Sequence, residues 1–232
     1  MGLVNWLLLL IYRSFFAVGD TGYRRAHFLS KVVFILSIVL YTVKSPVKAP
    51  ILVLVIFLGL IYPGKDWATS VLELSLFTGF VVALVVYSFS LITTGATPLQ
   101  VLEVAMNIAG AVSAAVFSFT IISPAEIYNT IYLLQGRRAA TLPLLLWVLI
   151  PRYLKDALDS FTIGNLRVEY YGKRPLRVTI RQLLEVGDYF EEYCYWRLRT
   201  PVKATITIER SYKYTLILLA TTLLLTFLKY II

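Results

Sequence analysis

Cysteine and histidine are almost absent from this 232-residue chain, which contains one of each, Cys194 and His27. A single cysteine cannot form a disulfide within the chain, and a metal site built from several Cys and His side chains is excluded. The sequence also lacks a Walker-type phosphate loop, a GxSxG nucleophile motif, an HExxH zinc motif and clustered aspartates for a divalent metal. We therefore predict that this chain is not an enzyme and holds no ATP, metal or cofactor.

Charge is also scarce, since Asp, Glu, Lys and Arg make up 15% of the chain and apolar residues 59%. These proportions are typical of a multi-pass membrane protein and exclude an ordinary soluble domain. Three stretches are long and apolar enough to cross a bilayer, which takes roughly 17 to 25 residues: Leu74–Thr94, Leu99–Ile122 and Tyr214–Ile231. Two shorter runs, Val32–Val43 and Ala49–Tyr62, are predicted to form a hairpin of two further spans, with one broken re-entrant helix as the alternative.

The net charge of +9 is unevenly placed along the chain. Arg13, Arg24, Arg25 and Lys31 precede the first span, and most other Lys and Arg lie between Ile122 and Tyr212. The positive-inside rule puts both regions in the cytoplasm, so the charge indicates membrane orientation rather than nucleic-acid binding. Five alternating crossings satisfy this distribution, and only the small outside pair Lys44 and Lys48 goes against the rule.

The predicted fold is an all-α membrane protein of the plasma membrane, with about five transmembrane helices, an amino-terminal interfacial helix and three cytoplasmic helices. Residues 1–31 form the interfacial helix (Leu3–Phe16) and a basic lead, and residues 32–122 form a four-span bundle. Residues 123–211 are cytoplasmic, and residues 212–232 form the final span. Leu3–Phe16 suits an interfacial helix better than a crossing because Arg13 interrupts it.

Two Pro-containing helix starts share one design, a hydroxyl N-cap followed by proline and then Gln or Glu three residues after the cap. Thr97-Pro98 opens the fourth span. Ser123-Pro124 opens a short helix, Ala125–Gln135, which Gly136 ends. Leu142–Phe161 begins as apolar as a span, but Pro143 and Pro151 interrupt it, so we expect it to emerge into the cytoplasm rather than cross.

The cytoplasmic region contains two helical patterns that each run into an arginine, at Leu166-Arg167-Val168 and Leu198-Arg199-Thr200. In the second pattern, Arg199 lies on the polar face of the helix. Arg197 lies near the edge of the apolar stripe, which includes Cys194. We predict that the two arginine ends bind a soluble partner, with Arg197 as the rival of Arg199. A polar linker is expected at 168–177.

His27 and Lys31 are predicted membrane-interface anchors, Lys31 snorkelling to anionic headgroups. Glu73 and Glu103 are expected in the first turn or so of their helices, where the helix dipole and headgroup water make a carboxylate tolerable. The less favoured alternative gives these two carboxylates a functional role.

The order of these motifs resembles the transmembrane (T) subunit of energy-coupling factor transporters, the CbiQ/EcfT family. The resemblance covers roughly residues 23–230. It rests on His27-Phe-Leu-Ser-Lys31, on Thr120-Ile-Ile-Ser-Pro124-Ala-Glu-Ile127, on the Ile150-Pro151 helix running to Arg167, and on a second arginine-ended helix before a last span. The family motifs carry small residues, Ala-Arg-Gly or Ala-Arg-Ser, which this chain lacks.

The resemblance implies the coupling subunit of an ATP-driven importer of vitamins or transition-metal ions. Its expected partners are two ABC-type ATPase subunits, contacted through Arg167, Arg199 or Arg197, Leu166 and Leu198, and a substrate-binding membrane (S) subunit. Two other classes stay open. One is an insertase-like or structural membrane protein whose basic helices bind ribosome, RNA or anionic lipid. The other is a membrane enzyme or proton-coupled carrier that uses Glu73 or Glu103.

Overall fold

The computed structural model describes residues 3–16, 18–19, 21–93, 97–171 and 209–231, with the side chains of 90–93, 98, 138, 160–171 and 228–231 left aside. The elements of these ranges are helical, and none is a strand, which confirms the all-α prediction for this part of the chain. In order they are α1 (Leu3–Phe15), a 3-10 helix (Gly22–Arg25), α2 (Phe28–Lys44), α3 (Ala49–Ile61), α4 (Lys65–Thr93), α5 (Pro98–Ile121), α6 (Pro124–Gln135), α7 (Arg137–Tyr171) and α8 (Tyr212–Ile231).

The chain divides into two compact units. The bundle unit comprises Arg13–Ile122 and Glu209–Ile232, and the α6–α7 unit comprises Met1–Tyr12 and Ser123–Ile208. The second unit is thus inserted in sequence between α5 and α8 of the first.

In the bundle unit, α4 packs along α5, and α3 packs against both of them. The helix α2 packs chiefly against α8 and also touches α5. The two short helices of the predicted hairpin are therefore joined by the turn at residues 45–48 but bury their apolar faces against different neighbours. Glycines bring the backbones together: a Cβ at Gly79 would lie less than 3.0 Å from the carbonyl oxygen of Ala105, and one at Gly110 would overlap the backbone of Lys48.

Each helix of the bundle unit contributes one buried stripe at helical spacing, as expected when only one face packs against other helices. The fully buried side chains of this core include Phe34, Ile38, Tyr41, Ile51, Val55, Leu58, Val71, Ala109, Phe117 and Leu218.

The outward faces of these helices are apolar as well. The exposed large apolar side chains of α4 include Phe80, Leu84, Val85 and Phe89. Among the residues that the structure describes, two helices are long and apolar enough to cross a membrane, within Lys65–Phe89 and Leu99–Ile121, and their most apolar windows are only 33% and 50% buried. The core helix of a soluble protein is mostly buried, so this exposed apolar surface favours contact with lipid or with other chains.

The helix α4 begins at Lys65, nine residues before the predicted span Leu74–Thr94. Asp66 in its first turn complements the helix dipole. Because Lys65 and Asp66 lower the mean hydropathy of this turn, a hydropathy window does not detect the start of the helix. Glu73 therefore lies in the third turn of α4, on an exposed face, and not in the first turn as predicted. Glu103 lies in the second turn of α5 and is also exposed.

In the α6–α7 unit, the predicted helix start and stop are confirmed. Ser123 caps α6 through a capping box with Glu126, and Gly136 ends it at a φ of +80°, a conformation that favours glycine. The same capping box joins Thr97 and Gln100 at the start of α5.

The helix α7 differs from the prediction in two ways. It is continuous over 35 residues with Pro143 and Pro151 inside it, although each proline removes one intrahelical hydrogen bond. It also continues to Tyr171, so the predicted linker does not begin at Val168. Arg167 consequently lies four residues before the end of α7, one turn earlier than the terminal position that the sequence predicts.

Candidate functional site

The predicted partner-binding residues fall largely beyond the part of the chain that the structure describes. Arg197, Leu198 and Arg199 lie outside the described residues. Leu166 and Arg167 lie on the backbone of α7, and their side chains are not described. The two interface residues, His27 and Lys31, are described and belong to a polar cluster at one end of the bundle unit, which we call the 3-10 junction (residues 18–31).

Arg24 is the centre of the 3-10 junction. It is 4% exposed, and its guanidinium donates from Nη1 to the carbonyl oxygen of Val18 at 2.6 Å and from Nε to that of Thr120 at 2.9 Å. Thr120 lies in the last turn of α5, where helix carbonyls have no intrahelical partner. The buried arginine therefore joins the segment before the 3-10 helix to the end of α5.

Lys31 is 2% exposed, and its ammonium donates to the carbonyl oxygen of Arg24. The prediction that Lys31 snorkels to headgroups is therefore wrong. Because α2 begins at Phe28, Lys31 lies in its first turn, next to the 3-10 helix. The carbonyl oxygen of Arg24 in the 3-10 helix is the acceptor for its ammonium, in place of a lipid headgroup.

His27 is the N-cap of α2. Its Nδ1 accepts a hydrogen bond from the backbone N–H of Leu29 at 3.3 Å, and its own N–H donates to Oγ1 of Thr215 at 2.9 Å. The side chain of His27 thus caps the start of α2, and its backbone N–H holds this start beside α8.

Tyr23 fills the centre of the same end of the bundle. Its hydroxyl donates to the carbonyl oxygen of Leu58, near the end of α3, at 3.1 Å. Its ring packs edge-on against Phe117 and Tyr214, with centroids 5.5 and 5.2 Å away. Burial, and secondarily the nearby Tyr214, raises the pKa of the Tyr23 phenol, so this hydroxyl stays protonated and donates.

Arg25 connects the junction to the start of α8. Its guanidinium forms a salt bridge with Glu209 at 3.0 Å, and its carbonyl accepts from the N–H of Ser211 at 2.7 Å. The side chains of this pair are 41% and 85% exposed, so water screens the attraction.

Five helix ends thus meet at this junction: the start of α2, the end of α3, the start of α4, the end of α5 and the start of α8. At the start of α4, Trp67 lines the small cavity beside Arg24, and its indole N–H donates to the carbonyl oxygen of Ser14 in α1 at 2.8 Å. Successive helices of the bundle unit therefore run in alternating directions. The cavity beside Arg24 has a volume of only about 10 Å³, which leaves room for at most one water molecule. The junction therefore joins helix ends and is not a ligand pocket.

A larger concavity lies on α5, away from the junction. This groove of about 380 Å³ is lined by Lys48, Val104, Asn107, Ile108, Ala111, Val112 and Ala115. Its polar end is ordered by Asn107, whose Oδ1 accepts from the N–H of Lys48 at 2.8 Å. Of the lining residues, the sequence analysis marked Lys48, whose charge goes against the positive-inside rule.

In the described ranges, no three His, Cys, Asp or Glu side chains form a cluster that could hold a metal. Arg24 was predicted only as part of a basic lead. Two residues before it, Gly22 has a φ of +61°, and any Cβ there would overlap the ring of Tyr62.

Comparisons with protein-family models, with curated proteins and with solved structures found no match to this chain.

Proposed function

We propose that this chain is the membrane-embedded coupling subunit of an ATP-driven importer, of the type that the T subunits of energy-coupling factor transporters represent. One observation carries the proposal: a separate helical unit is inserted between α5 and α8 of an apolar bundle, and its long helix α7 changes from apolar to charged along its length. The apolar half holds Leu142–Ile150, and the charged half includes Arg152, Lys155, Asp156 and Asp159. Such a helix suits the transfer of force from water to a membrane bundle.

We infer five membrane spans, α2, α3, α4, α5 and α8, with α1 lying at the interface of the plasma membrane. The alternating helix directions support this count, because each crossing then returns the chain to the opposite side. Arg24, Arg25 and Lys31 gather at one end, which the positive-inside rule assigns to the cytoplasm. At 1.5 Å per residue α3 is only about 20 Å long, so the bilayer beside it thins or flanking side chains reach to the headgroups.

In this proposal the α6–α7 unit and the residues after it face the cytoplasm and contact two ABC-type ATPase subunits. Arg167 and Arg199, with Arg197 as the rival of the latter, each donate bidentate hydrogen bonds to a carboxylate of one ATPase. Leu166 and Leu198 add apolar contact beside them. Because α7 continues to Tyr171, Arg167 approaches its partner from the side of the last turns rather than from the helix tip.

ATP-driven closing of the two ATPases would then move α7 and the second arginine-ended segment, and this motion would reorient a substrate-binding membrane subunit. The transported compounds are vitamins or transition-metal ions, as the family resemblance implies. The energy source lies in the partner subunits, since the sequence contains no phosphate-binding loop.

The test is co-expression of this chain with two ABC-type ATPase subunits, followed by co-purification. We expect the wild type to retain both ATPases and the Arg167→Ala, Arg199→Ala double variant to lose them. Arg152→Ala, on the same helix, is the control and should retain them, and Arg197→Ala alone decides the register of the second arginine. Equal recovery in the double variant and the control would refute the arginine contacts, whereas ribosome recovery in place of ATPases would support the insertase-like alternative.

A further inference from the structure

The groove on α5 has the construction of a site for an amphiphile. Its lining residues Val104, Ile108, Ala111 and Ala115 follow one another at three- and four-residue spacing, so they form one continuous apolar strip along the helix. The volume of about 380 Å³ lies within the range of small-molecule sites, roughly 300 to 1,000 Å³.

The polar end of the groove is cationic. The ammonium of Lys48 has neither a salt bridge nor a hydrogen bond among the residues that the structure describes, and the groove lining contains no carboxylate. Asn107 uses its Oδ1 for the N–H of Lys48, which leaves the amide NH₂ as a second donor at the same end. Two donors and one positive charge suit an anionic oxygen.

This end is also held rigidly. The backbone of Lys48 packs directly on α5 at Gly110, where a Cβ would lie less than 3.0 Å from the carbonyl oxygen of Lys48. The hydrogen bond from Lys48 to Asn107 joins the same two segments at 2.8 Å. The start of α3 is therefore fixed over the groove without the Lys48 side chain taking part.

The position of Lys48 along the bundle gives the identity of the anion. The turn at residues 45–48 follows the end of α2, about 25 Å from the 3-10 junction at the start of that helix. If the junction is cytoplasmic, as the proposed function requires, Lys44 and Lys48 lie at the outer headgroup level, against the usual charge bias. A lipid phosphate at that level offers the complementary charge.

We propose that this groove binds one anionic phospholipid. The phosphodiester accepts hydrogen bonds from Nζ of Lys48 and from the amide of Asn107, and one acyl chain lies along Val104, Ile108 and Ala115. A partner helix is the less suitable occupant, because it would place its backbone against the ammonium of Lys48 and would need a carboxylate at that level. The proposal depends on the spanning orientation of the proposed function and not on the ATPase contacts.

The test is native mass spectrometry of the detergent-purified full chain titrated with phosphatidylglycerol, and separately with phosphatidylcholine. We expect one tightly bound phosphatidylglycerol and about tenfold weaker binding by Lys48→Glu, because a charge-assisted hydrogen bond is lost. Lys44→Glu is the matched control, since this exposed lysine at the end of α2 does not line the groove. Its affinity should stay within about twofold of the wild type.

A second pair of variants tests the apolar strip. Ala111→Phe fills the groove and should also weaken binding about tenfold, whereas Ala220→Phe, on the exposed face of α8, should not. Competition by millimolar inorganic phosphate would show an ion site rather than a lipid site and would overturn the proposal. Equal affinities for Lys48→Glu and Lys44→Glu would overturn it as well. Retention of the ATPases in either case would show that the proposed function survives.

Discussion

The buried guanidinium of Arg24 leads to the sharpest prediction about the stability of the bundle unit. Replacing it with methionine removes two hydrogen bonds, to the carbonyl oxygens of Val18 at 2.6 Å and Thr120 at 2.9 Å. Both acceptor residues are 5% exposed, so water cannot replace the lost donor at either one. Hydrogen bonds to charged groups contribute about 1.5 to 3 kcal/mol each, which gives a loss of about 3 to 6 kcal/mol in the free energy of unfolding.

Arg25→Met is the matched control, because the same substitution is made at the next residue of the same 3-10 helix. Its salt bridge with Glu209 is exposed, and exposed pairs contribute about 0 to 1 kcal/mol. A change of 1 kcal/mol shifts Tm by about 2 to 4 °C in a chain of this size. We therefore expect Tm to fall by at least about 6 °C in Arg24→Met and by no more than about 4 °C in Arg25→Met.

The measurement is thermal unfolding in detergent, followed by tryptophan fluorescence, since Trp67 packs in the same unit. Arg24→Lys keeps the charge but cannot match the planar donor geometry, so its Tm should lie between those of the wild type and Arg24→Met. This variant also provides a value if Arg24→Met does not fold. Equal and small decreases in Tm for the variants at positions 24 and 25 would show that the buried hydrogen bonds of Arg24 do not stabilise the bundle.

Two further predictions concern the same unit. Gly110→Ala should lower Tm, because the added Cβ would overlap the carbonyl oxygen of Lys48. Gly19→Ala is the control and should leave Tm unchanged, since its Cβ would meet only Oγ1 of Thr21 at 3.9 Å. For Tyr23, a folded-state pKa above the ordinary value of 10.0 makes stability complete below pH 10 and progressively lost at higher pH. Tyr23→Phe should therefore lose less stability than the wild type between pH 9 and about pH 11, and an identical alkaline decline in both proteins would contradict this assignment.

Local signals predicted the helix starts of this chain well. The capping boxes at Thr97 and Ser123 and the stop at Gly136 occur as predicted, because each depends on a few neighbouring residues. Prolines and charges were less reliable. Pro143 and Pro151 lie inside one continuous helix, although they were expected to interrupt it. The helix α4 begins nine residues before the predicted span Leu74–Thr94, because intrahelical hydrogen bonding continues through charged residues that a hydropathy window excludes.

The sequence by itself determined the helical class of the described residues and the apolar character of the bundle, since composition and spacing along one chain decide these properties. Only the tertiary structure decided the surroundings of each charge. Lys31 is buried and Lys48 is not, although both precede apolar helical runs, because the carbonyl of Arg24 faces the first and a groove on α5 lies beside the second. Burial depends on residues distant in sequence, and no local pattern contains that information.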